Sequence, residues 1–275
     1  MHLFFEILKS AVLGIVQGIT EWLPVSSTGH MILVDELLTM NVSDAFMEMF
    51  RVVIQFGSIL AVAVLYFSRL NPFAKKKTEM ERKAAFSLWG KIIVACIPAG
   101  VIGVLFDDLL DTYLYNYVTV AVALIVYGIL FIVIERMKKD SVPTYAAAED
   151  ISYKTALKIG CFQVLSLIPG TSRSGSTILG GMLSGVSRPA GAEFSFFLAV
   201  PVMLGASALK LLKFGFSFTT AEILILLAGV ITAFLVSLAA IRFLVSFVRR
   251  HSFAVFGWYR IALGVLVLLY FFITK

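Results

Sequence analysis

The sequence predicts an all-α polytopic integral membrane protein with an inverted-topology repeat, each half one re-entrant helical hairpin plus three transmembrane helices. Three observations lead there. The 275 residues are 60% hydrophobic and only 15% charged, against about 45–50% and about 25% in soluble domains, and the mean hydropathy is +0.95. Six apolar runs approach the roughly 20 residues that span a bilayer. Two clusters of polar residues, E21-W-L-P-V-S-S-T-G-H30 and the PGTSRSGST run at 169–177, interrupt otherwise apolar sequence.

The runs cover residues 50–67, 88–106, 117–134, 194–212, 221–248 and 253–274. No polar stretch is long enough to fold separately, so a single membrane domain over 1–275 is expected, with one repeat at about 1–140 and the other at about 151–275. The N-terminus M-H-L-F-F-E-I-L-K lacks a basic region and a small-residue cleavage site, so no removable signal is expected. Cys96 and Cys161 stand far apart in apolar surroundings and suggest neither a disulfide nor a thiolate metal site.

The net charge of +6 follows topology better than it follows nucleic acid. Basic residues gather at 69–91, 136–158 and 249–250, whereas the connection D107-D-L-L-D111 is acidic and S217-F-T-T-A-E222 has no basic residue. The positive-inside bias makes the basic loops cytoplasmic and both termini external.

The two polar clusters do not fit as spans. Each is a short apolar helix, a Pro/Gly/Ser turn and another short helix. About 12 helical residues reach roughly 18 Å, the middle of a bilayer. Irregular backbone at that depth is tolerated when it is buried in protein or lines a wet cavity. G14-I-V-Q-G-I-T-E-W-L-P-V-S-S-T-G-H-M-I-L33 also parallels G160-C-F-Q-V-L-S-L-I-P-G-T-S-R-S-G-S-T-I-L179. Gln17 and Gln163 lie 146 residues apart, and the spans opening at Phe50 and Phe194 lie 144 apart. Three spans per half is odd, so the halves must be inverted, and inverted repeats bring such turns together near the midplane.

Together the turns would offer Glu21, Ser26, Ser27, Thr28 and His30 from one half and Thr171, Ser172, Arg173, Ser174, Gly175, Ser176 and Thr177 from the other. An arginine among hydroxyls and glycine-exposed amides suits phosphate. Glu21 and His30 form the acid–base candidates, with Ser26 or Ser27 as nucleophile. Plainer roles compete. Single Ser and Thr residues in membrane helices usually bond backbone, Pro24 and Pro169 can simply shape turns, and Gln17 and Gln163 suit either support of the polar site or helix-packing glue. His2 and His251 read as interfacial, and Glu193 suits packing as well as a site. Glu21, His30 and Arg173 differ, because ionisable groups at depth are costly and default to function.

At these residues the chain resembles the bacterial undecaprenyl-diphosphate phosphatase family, also known as bacitracin-resistance proteins. The resemblance rests on Q17-G-I-T-E21, L23-P-V-S-S-T-G-H30 and the PGTSRSG run at 169–175, supported by I54-Q-F-G-S-I-L-A61, E193-F-S-F and LAVP at 198–201. It implies a bacterial plasma-membrane enzyme that removes the terminal phosphate of a C55 polyprenyl diphosphate carrier, recycling it for cell-wall synthesis. A divalent cation, Mg²⁺ or Ca²⁺, is implied, with Glu21 as a ligand. Gln17 stands where many relatives have a carboxylate, and Arg51 where many have an acid. Type-2 phosphatidic acid phosphatases share Ser-Gly-His and Ser-Arg elements, but their second histidine would fall on Leu179.

The expected mechanism has Arg173 and the amides of residues 172–175 holding the diphosphate, with Ser26, Thr28, Ser174 and Thr177 as further phosphate ligands. Ser27 or a water attacks with help from His30, while Glu21 orients His30, acts as general base or binds the cation. The expected partners are the polyprenyl diphosphate lipid and the bilayer, with no nucleic acid and a homodimer left open. The rival class is a transporter of a polyprenyl phosphate or diphosphate, which would need Arg173 but has less use for Glu21 and His30 beside a serine.

Overall fold

A computed structural model describes residues 2–75, 77–114, 116–215 and 217–274. Lys76, one of the basic residues used for topology, lies outside them, as do the side chains of Asp107, Asp108 and Asp111. The helices are α1 (His2–Thr20), α2 (Ser27–Leu37), α3 (Asp44–Leu65), the short α4 (Phe67–Leu70), α5 (Glu79–Leu114), α6 (Tyr117–Met137), α7 (Tyr153–Val164), α8 (Arg173–Leu183), α9 (Arg188–Phe214), α10 (Thr220–Val248) and α11 (Ala254–Thr274). Seven of them, α1, α3, α5, α6, α9, α10 and α11, are long and apolar enough to cross a membrane. Phe4, Val64, Val104, Leu105, Leu235 and Phe272 are among many large apolar side chains facing outward. The protein is a multi-pass helical membrane protein.

Capping chemistry sets where the helices begin. Ser43, Asn116, Ser152 and Ser187 each accept the amide three residues on, and Thr219 with Glu222 forms a reciprocal capping box. Such side chains satisfy amides that the helix leaves without partners.

Two elements differ from the sequence expectation. The first arm of the first polar cluster, expected at about 12 residues, is the 19-residue α1. Nothing between His2 and Thr20 breaks a helix, and the first proline after it is Pro24. The acidic stretch expected as a connection at 107–111 is helical backbone within α5, because no Gly or Pro stops the helix before Leu114 and α5 even runs through Pro98.

Small residues let helices meet closely, which is how membrane helices associate. α1 lies along α10, where a Cβ on Gly14 would stand 2.6 Å from the Gly229 carbonyl oxygen. Ser10 Oγ donates to the Ile225 carbonyl at 2.5 Å on the same interface. α7 lies along α5 in the same manner, with Gly160 against the backbone of Ala95. α6 pairs with α11, and α3 packs on both α9 and α10. The main core, including Trp22, Phe131, Phe194, Phe196 and Phe197, fills the space around the turns that end α1 and α7.

Candidate active site at two broken-helix turns

Both polar clusters form the same local structure. α1 stops at Thr20 and α2 starts at Ser27; α7 stops at Val164, a 3₁₀ turn covers 165–167, and α8 starts at Arg173. The residue before each second helix is a serine with left-handed backbone, Ser26 at φ 71° and Ser172 at φ 74°. These are the only non-glycine residues with positive φ among the described residues. Ser26 Oγ accepts the Gly29 amide at 3.3 Å and Ser172 Oγ the Gly175 amide at 3.1 Å. A serine held in this region costs on the order of 1–3 kcal/mol and persists where surrounding contacts demand it.

The turns meet. Arg173 Nη2 donates to Glu21 Oε1 at 3.0 Å, with the two side chains only 10% and 5% exposed. The other Glu21 oxygen accepts Gln17 Nε2 at 2.9 Å and Ser27 Oγ at 3.3 Å. Arg173 Nη1 donates to the carbonyl and hydroxyl of Ser195 on α9, and the guanidinium lies 5.9 Å from the Trp22 ring centroid. Ser174 Oγ donates to the Glu21 carbonyl at 3.3 Å. A carboxylate, a guanidinium fork and a serine hydroxyl thus converge in a site from which bulk water is largely removed, where electrostatic interactions strengthen.

A cavity of about 200 Å³ opens on this group. Glu21, Ser26, Ser27, Thr28, Ser172 and Arg173 line its polar wall with Gln55 of α3, while Val202, Met203 and Ala206 of α9 form an apolar lip. At roughly 30 Å³ per water, it holds a diphosphate head but not a long hydrocarbon chain.

Behind the turns lies Arg260 of α11, which no motif had indicated. It is fully buried. Its Nη1 donates to the Pro24 carbonyl at 3.3 Å, and its Nη2 to the carbonyls of Gly170 and Thr171 at 2.9 and 2.8 Å. One side chain therefore fastens both turns. Its visible signal was a lone arginine inside the apolar run at 253–274. Ser195 and Gln55 were also missed, although both lie within stretches that carried the family resemblance, E193-F-S-F and I54-Q-F-G.

Not every predicted residue joins the cavity. His30 points toward α11: its Nδ1 pairs with the Ser26 carbonyl at 2.8 Å and its Nε2 with the Tyr259 hydroxyl at 2.7 Å. It bonds neither Glu21 nor Ser27, so the expected Glu21–His30 dyad is replaced by a Glu21–Ser27 contact. Thr177 is buried, donating to the Arg173 carbonyl at 2.9 Å and lying 2.8 Å from the Ser195 hydroxyl, and the Gly175 amide is taken by its cap. Ser174, Gly175 and Thr177 thus brace α8 instead of lining the cavity. Gln17 holds Glu21, but the buried Gln163 amide has no hydrogen-bond partner among the described residues.

No group of three or more His, Cys, Asp and Glu side chains that could hold a metal occurs among the described residues. Glu21 is the one carboxylate on the cavity wall. That donor set suits a hard cation bound chiefly through substrate phosphate oxygens and water, as Mg²⁺ commonly is.

Fold and site together define a class: a multi-pass helical membrane protein with an acid, a guanidinium and hydroxyls gathered between two interrupted helices. Comparison with known proteins is more specific. Residues 10–266 match the model of the family described as Bacitracin resistance protein BacA, and the chain belongs to that family. It is 61% identical over 268 residues to the undecaprenyl-diphosphatase of Enterococcus faecalis, covering 97% of each chain. It is 57% identical over 270 residues to that of Acetivibrio thermocellus, covering 98% of this chain and 99% of the relative. With that of Desulfitobacterium hafniense it shares 60% over 267 residues, covering 97% and 96%.

Proposed function

We propose that this chain hydrolyses undecaprenyl diphosphate to undecaprenyl phosphate and inorganic phosphate, as the names of its relatives state for them. The observation that carries the reading is the Arg173–Glu21–Ser27 chain of contacts at the mouth of a cavity sized for a diphosphate. Phosphoryl transfer asks mainly for positioning and neutralisation of charge.

Arg173 exchanges part of its contact with Glu21 for the terminal phosphate, its fork matching two phosphate oxygens. The backbone N–H groups that open α8 add partial positive charge. Glu21, freed from the guanidinium, accepts the Ser27 hydroxyl proton as Ser27 Oγ attacks the terminal phosphorus. The P–O bond to the bridging oxygen breaks and undecaprenyl phosphate leaves, its freed oxygen taking the proton from Glu21. Water then attacks the phosphoserine, giving a proton to the Glu21 carboxylate, and Glu21 passes that proton to Ser27 Oγ as the P–Oγ bond breaks to release inorganic phosphate. A divalent cation bound by Glu21 and the diphosphate would neutralise charge on the phosphate oxygens. His30 acts from the other side of α2, holding the Ser26 carbonyl and hence the left-handed turn that presents Ser27.

The two turns are read as re-entrant hairpins of an inverted repeat. Support comes from the matching serine caps and from reciprocal packing, α1 on α10 and α7 on α5. The whole chain is then one membrane domain in the bacterial plasma membrane. By loop charge its basic loops are cytoplasmic and both termini external.

The test is inorganic phosphate release from a long-chain polyprenyl diphosphate by purified protein in detergent, with cation present or chelated. Wild type should release phosphate, and Glu21→Gln and Arg173→Ala should each lose at least about 10²-fold. With no second compartment, release cannot arise from transport. Near-wild-type turnover by Arg173→Ala would overturn the assignment of the site.

A further inference from the structure

The ends of α3 and α10 carry a second polar concavity, separate from the cavity at the turns. Arg242, Arg249 and Arg250 line a space of about 480 Å³ together with Tyr66, Ser246 and Glu193. Its apolar side is Leu65, Ile241 and Val245. Some cations of the basic segments are matched by carboxylates, Arg69 with Glu149 and Glu193 at 2.6 and 2.9 Å, Arg188 with Glu135 at 2.5 Å and Lys83 with Glu79 at 2.7 Å, whereas others stand dispersed without one. Among the described residues, no carboxylate pairs with Arg242, Arg249 or Arg250 in this way. Glu193 does not supply one, because Arg69 already holds it.

Three guanidinium groups around one space repel each other, and an anion placed between them removes that repulsion. Guanidinium forks match phosphate oxygens two at a time, and the Tyr66 and Ser246 hydroxyls can donate to those that remain. The apolar side adds a second requirement. A free phosphate has no use for Leu65, Ile241 and Val245, nor for the outward-facing Phe243 beside Arg242. A phospholipid headgroup at a membrane edge has both parts, and basic pockets between membrane helices take such headgroups. We infer that the concavity formed by Tyr66, Arg242, Ser246, Arg249 and Arg250 is a binding site for the headgroup of an anionic phospholipid.

The experiment uses the full chain, purified in detergent and stripped of lipid, titrated with phosphatidylglycerol or phosphatidylcholine in mixed micelles. Bound lipid is counted by native mass spectrometry and thermal unfolding is followed in parallel. Wild type should bind phosphatidylglycerol preferentially and unfold at higher temperature with it. Affinity should fall about fivefold per arginine removed, so about a hundredfold in the Arg242→Gln/Arg249→Gln/Arg250→Gln triple variant. Arg82→Gln/Lys154→Gln/Lys158→Gln removes the same charge from exposed positions on other basic segments and should stay within about fivefold of wild type. Phosphate release per milligram in detergent, expected unchanged in both, verifies folding. If the triple variant does not fold, Arg249→Gln alone, with its expected fivefold loss, carries the comparison. Equal losses in the two triple variants would reduce the site to diffuse attraction and overturn the inference, as would no preference over phosphatidylcholine. Inorganic phosphate that stabilises wild type as strongly, through the same arginines, would make free phosphate the occupant and overturn the lipid assignment.

Discussion

Replacing Arg260 by methionine separates stability from function. The side chain makes three hydrogen bonds, one to the first turn and two to the second. Bonds from a charged donor contribute about 1.5–3 kcal/mol each, while bonds within membranes average nearer 0.6 and reach about 1.7. Taking about 1.5 per bond, methionine forfeits roughly 4–5 kcal/mol. Opposing this, Arg260 is a fully buried cation with no carboxylate among its bonded partners. Removing such a charge recovers several kcal/mol of desolvation. The two terms nearly cancel, so unfolding in detergent should shift by only a few degrees. Activity should respond quite differently. With Arg260 gone, the carbonyls of Pro24, Gly170 and Thr171 no longer share a donor, and the turns carrying Glu21 and Arg173 can drift apart. A displacement of about 1 Å costs on the order of 10²-fold in rate. Steady-state phosphate release should show a kcat loss of at least that size with a smaller change in KM, partly restored in Arg260→Lys. Specific activity per folded molecule equal to wild type would refute the idea that Arg260 sets the geometry between the turns.

Other substitutions test neighbouring contacts. Ser27→Ala should fall about 10²-fold or more in phosphate release and lose the burst expected of a phosphoserine intermediate; substantial residual activity would put water in the attacking role. Tyr259→Phe removes the hydroxyl on His30 Nε2 while keeping the ring, and should cost less than about tenfold in kcat, because His30 retains the Ser26 carbonyl; a loss equal to that of Glu21→Gln would place His30 in the chemistry itself. Gly14→Val forces a side chain against the Gly229 carbonyl on α10, and thermal unfolding in detergent should show a destabilisation of about 1–3 kcal/mol.

How much of this was readable in the chain varies by residue, for physical reasons. The apolar runs fixed α3, α5, α6, α9, α10 and α11, since a span must be apolar for most of its length whatever surrounds it. The length of α1 was not visible, because a 12-residue arm and a 19-residue helix have the same composition and only packing along α10 decides between them. Glu21 and Arg173 stood out as charges in apolar context, and the structure places them 3.0 Å apart. The direction of His30 was hidden: spacing puts it one turn beyond Ser26, yet whether its ring faces Glu21 or α11 depends on Tyr259, over two hundred residues away. Arg260 was exposed to the same argument as Arg173. It lacked surrounding hydroxyls, and its ligands are backbone carbonyls that carry no side-chain signature.

The modest volume of the cavity at the turns has a consequence for how products part. Only the head of an undecaprenyl diphosphate fits there, so its chain stays in hydrocarbon throughout the reaction. Hydrolysis then divides one amphiphile into a small ion with no affinity for the bilayer and a lipid phosphate that its hydrocarbon chain keeps in the bilayer. Each leaves by diffusing in a different solvent, one in three dimensions and the other in two. Dilution of the aqueous phase therefore clears only one product, and the turnover of a reconstituted enzyme should depend on the surface density of carrier lipid in the membrane as well as on the bulk concentration of phosphate.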